Sequence, residues 1–442
     1  MRQKALPKER LPKQKASSRS PLPKARKRPV DEAQVWEDDG DVSDEDLSAS
    51  TKRVRKDGSI EKDLNRQIRS VKAFSEDDGG KFYMMHGSSI ASLDTPNKYK
   101  RAFPDYPDIL ETSLQYPSAS QREKYELVVP TGKVDDFKTL EDIRATMEIV
   151  IQSYLPEKEA AALSNDSTGL LRRVKRSVER LAGNDYYENI QEWNELIVQL
   201  RKSGTLSKVM DAWTTVDLAL LERILTQTYA RTVSPQVNDL KQYQNGTDNV
   251  YGELLPRFIS TILKKDTNMK SDQIFVDLGS GVGNCVLQAA LEVGCESWGC
   301  EMMENACKLA ELQAKEFAAR CRLWGLTCGS IHLERGDFLK NEAIRKILPQ
   351  ADVVLVNNQA FTPTLNEDLT SLFLDLKEGA KVVSLKSFKP EGHKNEALTA
   401  GAIYNILDVV KKEYHSEHVS WTDARGNYYV STKDSSRVKA FS

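Results

Sequence analysis

Apolar and polar positions divide the 442-residue chain into three stretches. Residues 1–79 hold little to bury and predict no packed element. From 138 to 231 apolar residues return at helical spacing. Ile143, Met147, Val150 and Tyr154 form one stripe, opened by the capping-box pattern Thr139-Leu140-Glu141-Asp142 and closed by Pro156. Residues 170–181 and 187–200 predict further amphipathic helices, as does a segment through Leu218, Leu221 and Leu225 that must end before Pro235. Stripes of this kind are helix core. Residues 80–235 therefore read as a small, mainly helical domain, with Leu127-Val128-Val129-Pro130 as a short strand.

Beyond residue 236 the period changes. Pro256 suits the first turn of a helix through Phe258, Ile259, Ile262 and Leu263. Short apolar runs then alternate with helical ones. Strands are predicted at 274–276, 297–300, 330–334, 352–356 and 380–385, and helices at 286–293, 303–323 and 365–374. Residues 419–422 and 428–431, joined around Gly426-Asn427, predict a closing hairpin. Alternation of this kind gives an α/β domain over 236–435, its sheet mostly parallel and covered by helices on both faces.

Charge changes the picture at the N-terminus. The net charge is −2, but residues 1–30 hold eleven Lys/Arg against one Glu, which leaves the rest of the chain acidic. Lys24-Ala25-Arg26-Lys27-Arg28-Pro29 looks like a nuclear import signal, and Lys52-Arg53-Val54-Arg55-Lys56 is a second basic cluster. Residues 1–79 are thus a disordered basic and acidic tail, and nucleic acid, if bound, is expected to be held by its basic part. Residues 31–46 carry nine acidic side chains and no basic one; both a fold-back onto the basic tail and a basic partner stay open. No apolar run approaches a membrane span, and no secretory signal is visible. The six cysteines fall within 44 residues without a C-x-x-C pair, which points to reduced, packed thiols and not to a metal.

The chemistry concentrates at 274–301. A buried strand ends at Asp277, a glycine turn follows (Gly279-Ser280-Gly281-Val282-Gly283), and a helix leads to a second strand closing on Glu301. The glycines let backbone approach a ligand, the helix N-terminus offers free N–H groups, and a strand-end carboxylate can accept ribose hydroxyls. The third glycine comes one residue too early for a dinucleotide fingerprint, and Asn284-Cys285 replaces the Lys-Ser/Thr of a phosphate loop. The tight turn behind Asp277 resembles motif I of class I (Rossmann-like) methyltransferases, which use S-adenosylmethionine. Later strand ends present Gly336-Asp337-Phe338, where Asp337 suits an adenine amine and Phe338 its ring, and then Asn357-Asn358.

YGELLP, VDLGSGVGN, ERGDFL, VLVNNQAF, VSLKSF and VSWT with YYVST, in this order, resemble the DOT (disruptor of telomeric silencing) family of histone lysine methyltransferases over roughly residues 230–435, and the preceding helical region looks like its fungal branch. The family lacks a SET domain and acts on a lysine in the globular core of nucleosomal histone H3. The resemblance implies that Tyr251, Gly252, Glu253 and Leu254 form a loop over the cofactor. It implies that Phe275, Val276, Asp277, Leu278, Gly279, Ser280, Gly281, Val282, Gly283 and Asn284 line the methionine end, that Glu301 holds the ribose, and that Asp337 and Phe338 take the adenine. Asn357, Trp421 and Tyr428 would shape the lysine channel. It further implies a nuclear chromatin regulator, with the family's roles in telomeric silencing and the DNA damage checkpoint. Its expected partner is the nucleosome, ubiquitylated nucleosomes included, met at the H3 core surface and at DNA through the basic tail; the chain itself is expected to be a monomer. Two rivals stay open at this level: a class I methyltransferase for another protein or a small molecule, and a non-catalytic chromatin scaffold.

Overall fold

The computed structural model describes residues 63–75, 82–95, 97–106, 111–132, 136–237, 240, 252–390 and 402–436. Both basic clusters of the N-terminal tail, the acidic stretch 31–46 and Tyr251 lie outside the described residues.

The second half is built on seven strands: β1 (Ile274–Leu278), β2 (Glu296–Glu301), β3 (Ile331–Arg335), β4 (Val353–Val356), β5 (Lys381–Ser384), β6 (Leu407–Tyr414) and β7 (Gly426–Lys433). Their spatial order is β6-β7-β5-β4-β1-β2-β3. The strands β3-β2-β1-β4-β5 pair in parallel, and β7 inserts antiparallel between β5 and β6. Strand order reverses between β1 and β4, so a crevice opens at their carboxyl ends. Val353 and Leu355 pack into the core on one sheet face, and Val354 and Val356 into the core on the other. Strands covered on both faces keep no solvent position, which is why these runs are apolar throughout.

The helices Thr139–Tyr154, Leu170–Glu179, Gly183–Lys202 and Leu218–Thr232 form where periodicity predicts them. They share one hydrophobic core with the helix Glu304–Trp324 that covers the sheet. Tyr154 donates its hydroxyl to the Trp324 carbonyl at 2.8 Å, and the Trp324 indole donates to Gln227 Oε1 at 2.9 Å. A charged network is sealed inside this core. Arg231 and Arg320, both fully buried, meet the Glu123 carboxylate at 2.8 and 2.5 Å; Arg320 also pairs with Glu316, and Arg231 and Arg223 pair with Asp142.

Two sequence expectations are corrected. Thr139 forms no capping box: Lys138 is the N-cap, the Thr139 hydroxyl is buried without a partner among the described residues, and Asp142 turns to Arg223 and Arg231. Two guanidinium charges outbid one backbone N–H for that carboxylate. The hairpin partner of residues 428–431 is also not 419–422. It is β6, whose pairing with β7 runs from Leu407–Lys433 to Tyr414–Gly426. As an edge strand with Val410, Lys411 and Glu413 exposed and Lys412 turned to Asp266, β6 carries no alternation to find. The 419–422 run crosses to the loop after Gly252 instead, where Leu254 bridges Val419.

No helix of the described residues is long and apolar enough to cross a membrane.

Candidate active site

The crevice at the β1/β4 switch point is a cleft of about 350 Å³. Its floor comes from the glycine turn. Gly279, Gly281 and Gly283 all have φ between +55° and +88°, a region closed to most side chains, so the sequence needs glycine at each. Gly279 and Ser280 donate their N–H groups to the Cys300 carbonyl at 2.9 and 3.1 Å, which ties the turn to β2.

Glu301 ends β2 beside this turn. Its Oε2 accepts from the Gly281 N–H at 2.9 Å and its Oε1 from the Met303 N–H at 2.8 Å. Two backbone donors thus aim one carboxylate into the cleft, with lone pairs left for further hydroxyls. Asp277 lies on the cleft at the end of β1, almost wholly buried. Burial, reinforced by the nearby Glu301 charge, pushes its carboxyl up to about 7. Asp337 and Phe338 line the far end, where the Phe338 and Phe361 rings stand 6.3 Å apart.

A polar relay closes the near side. Asn357 follows β4 and donates Nδ2 to the Gly252 carbonyl at 2.9 Å. The Glu253 N–H donates to the Ser420 hydroxyl and the Ser420 N–H to the Glu253 carbonyl, each at 2.9 Å, and the Glu253 carboxylate accepts from Asn284 Nδ2 at 3.2 Å. Gln313, buried on the helix Glu304–Trp324, donates to the Val282 carbonyl at 2.7 Å and to Asn284 Oδ1 at 2.9 Å. Gln313 thereby fixes which way the Asn284 amide faces. Nothing in the sequence separates it from its helical neighbours, because its role depends on contacts distant in the chain. Replacing Gln313 with Leu is expected to weaken cofactor binding several-fold without unfolding the protein, measured by calorimetry and by thermal melting.

Most of the residues expected at the site converge here. Gly252, Glu253, Leu254, Asp277, Gly279, Ser280, Gly281, Val282, Asn284, Glu301, Asp337, Phe338 and Asn357 all line the cleft. Phe275, Val276 and Leu278 do not: their side chains are fully buried in the two sheet cores, so they hold β1 in place and offer no side chain to a ligand. Gly283 supports the turn from behind, donating its N–H to the Ser280 carbonyl and capping the helix Asn284–Glu292. Trp421 stands one layer back; a Cβ on Gly252 would come within 2.8 Å of its ring, so Gly252 is the contact through which it shapes the cleft.

Tyr428 is a correction. Its side chain is buried against Phe258, and its hydroxyl donates to Asp266 Oδ2 at 2.8 Å, which turns it away from the cleft. In β7 it shares a core with Val430, two residues on, and strand parity keeps both on that face. Cleft residues that the sequence reading did not single out include Cys285, Met302, Met303, Leu355, Phe361 and Leu365. They carry no pattern apart from apolarity.

Sheet order, glycine turn and strand-end carboxylates around one cleft define a class I methyltransferase. Residues 229–433 match the family described as histone methylation protein DOT1. The chain is 55% identical over 391 residues to the "Histone-lysine N-methyltransferase, H3 lysine-79 specific" of Emericella nidulans, covering 88% of this chain and 78% of that one. It is 52% identical to the protein of the same description from Aspergillus fumigatus, over 98% of this chain and 86% of that one, and 47% identical to that of Gibberella zeae, over 92% and 83%. The chain belongs to this family of histone lysine methyltransferases. A solved O-methyltransferase from Bacillus cereus, in complex with SAH, is a distant likeness: 12% identity over 52% of this chain and 96% of that one, with a TM-score of 0.31.

Proposed function

We propose that this chain methylates lysine 79 of histone H3 in the nucleosome with S-adenosylmethionine, in the nucleus, ubiquitylated nucleosomes being among its substrates. The observation that carries the reading is Asn357. Its Oδ1 is buried, lines the cleft and has no hydrogen-bond partner among the described residues, while its Nδ2 is held by Gly252. A buried acceptor without a donor costs stability, about 1–3 kcal/mol, which leaves this atom poised to accept from a ligand N–H.

S-adenosylmethionine fits the remaining groups. Glu301 suits its ribose, Asp277 its ammonium, and Asp337 with Phe338 its adenine; when bound it supplies a methyl group already activated on a sulfonium. This chain's task is then to present a neutral amine. A free lysine, with pKa about 10.4, is neutral about once in a thousand at pH 7.4, which corresponds to roughly 4 kcal/mol. Beside the polar relay at the near end of the cleft, Leu254, Cys285 and Leu355 supply an apolar wall, and burial against it favours the neutral amine. Asn357 Oδ1 accepts one amine N–H and aims the lone pair. The carboxylates on the cleft are already engaged, Glu301 with the glycine turn, Glu253 with its own loop, Asp277 with the cofactor ammonium and Asp337 with the adenine end, and none is needed as a dedicated base.

Nucleosomes incubated with the protein and isotopically labelled cofactor are expected to carry the label on H3 lysine 79, read by mass spectrometry. Label on free histone peptide or a metabolite in preference to the nucleosome would replace this substrate.

Asp277 gives the cofactor end its own test. Its folded pKa stands above the unfolded value, so its contribution to stability is full below pH 3.8 and is lost as pH rises through about 7. A cation bound beside it reverses the preference. The affinity for S-adenosylmethionine, measured calorimetrically, is therefore expected to rise from pH 6 to pH 8, with proton release on binding below pH 7. Asp277→Asn is expected to bind more weakly and to lose this step.

A further inference from the structure

Beyond residue 30 the chain is acidic overall, yet one helix among the described residues is strongly basic. Between residues 170 and 180, Arg172, Arg173, Lys175, Arg176 and Arg180 stand against a single Glu179. The helix Leu170–Glu179 buries Leu170, Val174 and Ser177 in the helical core. Arg172, Lys175 and Arg176 occupy the opposite face together with the exposed Glu179, and Arg180 is the C-cap beside them; Lys175 and Arg180 are exposed, Arg172 and Arg176 partly so. Arg173, at the edge of that face, is neutralised by Glu192 at 2.5 Å. The other four make no ion pair with any described residue.

A merely solvated face does not account for this arrangement. Arg172, Arg176 and Arg180 follow one another at i, i+4 and i+8, where like charges repel by about 0.2–0.5 kcal/mol per pair. Cations near the helix C-terminus gain from the helix dipole, which covers Arg176 and Arg180. Arg172 in the first turn is opposed by the same dipole. A helix tuned for stability alone would carry Glu at position 172. The stripe from Arg172 to Arg180 is about 12 Å long at 1.5 Å per residue. One strand of a duplex presents a phosphate about every 3.4 Å of axis, so three or four phosphates fall within that length.

We propose that the solvent face of the helix Leu170–Glu179 is a duplex-DNA contact in the folded body, in addition to any grip by the basic tail; its use on chromatin rests on the nucleosomal reading above. The four free cations meet backbone phosphates, so the contact is independent of sequence.

The test uses the full chain with Arg172, Lys175, Arg176 and Arg180 all replaced by Gln, beside a control with the three arginines replaced by Lys. Binding to a bare DNA duplex and to nucleosomes is followed by fluorescence anisotropy between 50 and 200 mM salt. Each phosphate contact contributes about 0.9 to the slope of log K against log salt. The Gln variant is expected to lose about three to four from that slope and at least tenfold in duplex affinity at about 0.1 M salt. The Lys control is expected to keep both, and calorimetric S-adenosylmethionine binding is expected to be unchanged in all three proteins. An unchanged slope in a Gln variant that still binds cofactor overturns the proposal. So does a loss confined to nucleosomes with duplex binding intact, since the face would then meet histone. Absence of H3 methylation by the unaltered chain would remove the proposed substrate and leave the duplex measurement to decide the DNA contact.

Discussion

Asn357→Ala is expected to lower kcat about 10²–10³-fold on nucleosomes while the affinity for S-adenosylmethionine changes by less than about threefold. The magnitude is that of removing one preorganised group aimed at a reacting centre. Asn357 lines the cleft, and among the described residues that line it, its Oδ1 is the buried side-chain acceptor with no donor. Its Nδ2 bond to the Gly252 carbonyl has a second consequence. Removing it loosens the loop that Trp421 backs, so a modest rise in the nucleosome KM is expected as well. Asn357→Asp separates the two roles: it keeps an acceptor but repels the Gly252 carbonyl, and it is expected to retain more activity than Ala. Single-turnover methylation and calorimetry on the same proteins check this. Full activity in Asn357→Ala would remove the residue from the mechanism.

The second large effect is on stability. Glu123 is fully buried and accepts from Arg231, Arg320, Tyr116 and Tyr125 together. Burial alone would raise its carboxyl, but the Arg231 and Arg320 charges outweigh burial and hold it at about 2. Asp142 is likewise depressed, its burial outweighed by Arg223 and Arg231. A carboxylate with a lowered folded pKa contributes stability that is present above its unfolded value, near 4.5, and is lost as pH falls toward the folded one. For Glu123 this is on the order of 3 kcal/mol. Glu123→Gln leaves three guanidinium groups, Arg223, Arg231 and Arg320, facing only Asp142 and Glu316, one buried charge uncompensated, and is expected to cost about 3–5 kcal/mol at pH 7. It should also flatten the loss of stability between pH 4.5 and pH 2. Urea unfolding midpoints at a series of pH values measure both, and a midpoint unmoved by the substitution would show that the network carries little of the fold's stability. The network matters to the site because Glu316 and Arg320 share a buried helix face with Gln313, which steadies the Asn284 amide.

Legibility in the sequence tracked the local physics. β4 announces itself because both faces are covered and each of its residues is apolar, and β1 and β5 do so through the apolar runs 274–276 and 382–383. The glycine turn does so because its positive φ angles demand glycine. Glu301 was readable because a strand end and a carboxylate coincide at the right distance from that turn. β6 was not readable, since an edge strand facing water carries Lys and Glu like any loop. The segment through Val419 and Trp421 misled for the opposite reason: it has a strand's composition but pairs with residues 253–255, which lie far away in the chain.

The sequence by itself determined the α/β layout, the nucleoside turn and the carboxylates around it, because each depends on residues within one strand, turn or helix. Only the tertiary structure decided that Tyr428 turns toward Asp266, that Asn357 spans to Gly252 with one atom left free, and that Gln313 reaches the Asn284 amide. Which way a buried polar side chain points is set by whichever donors and acceptors the fold brings beside it. Those partners are separated along the chain by tens to hundreds of residues, so no local pattern encodes the choice.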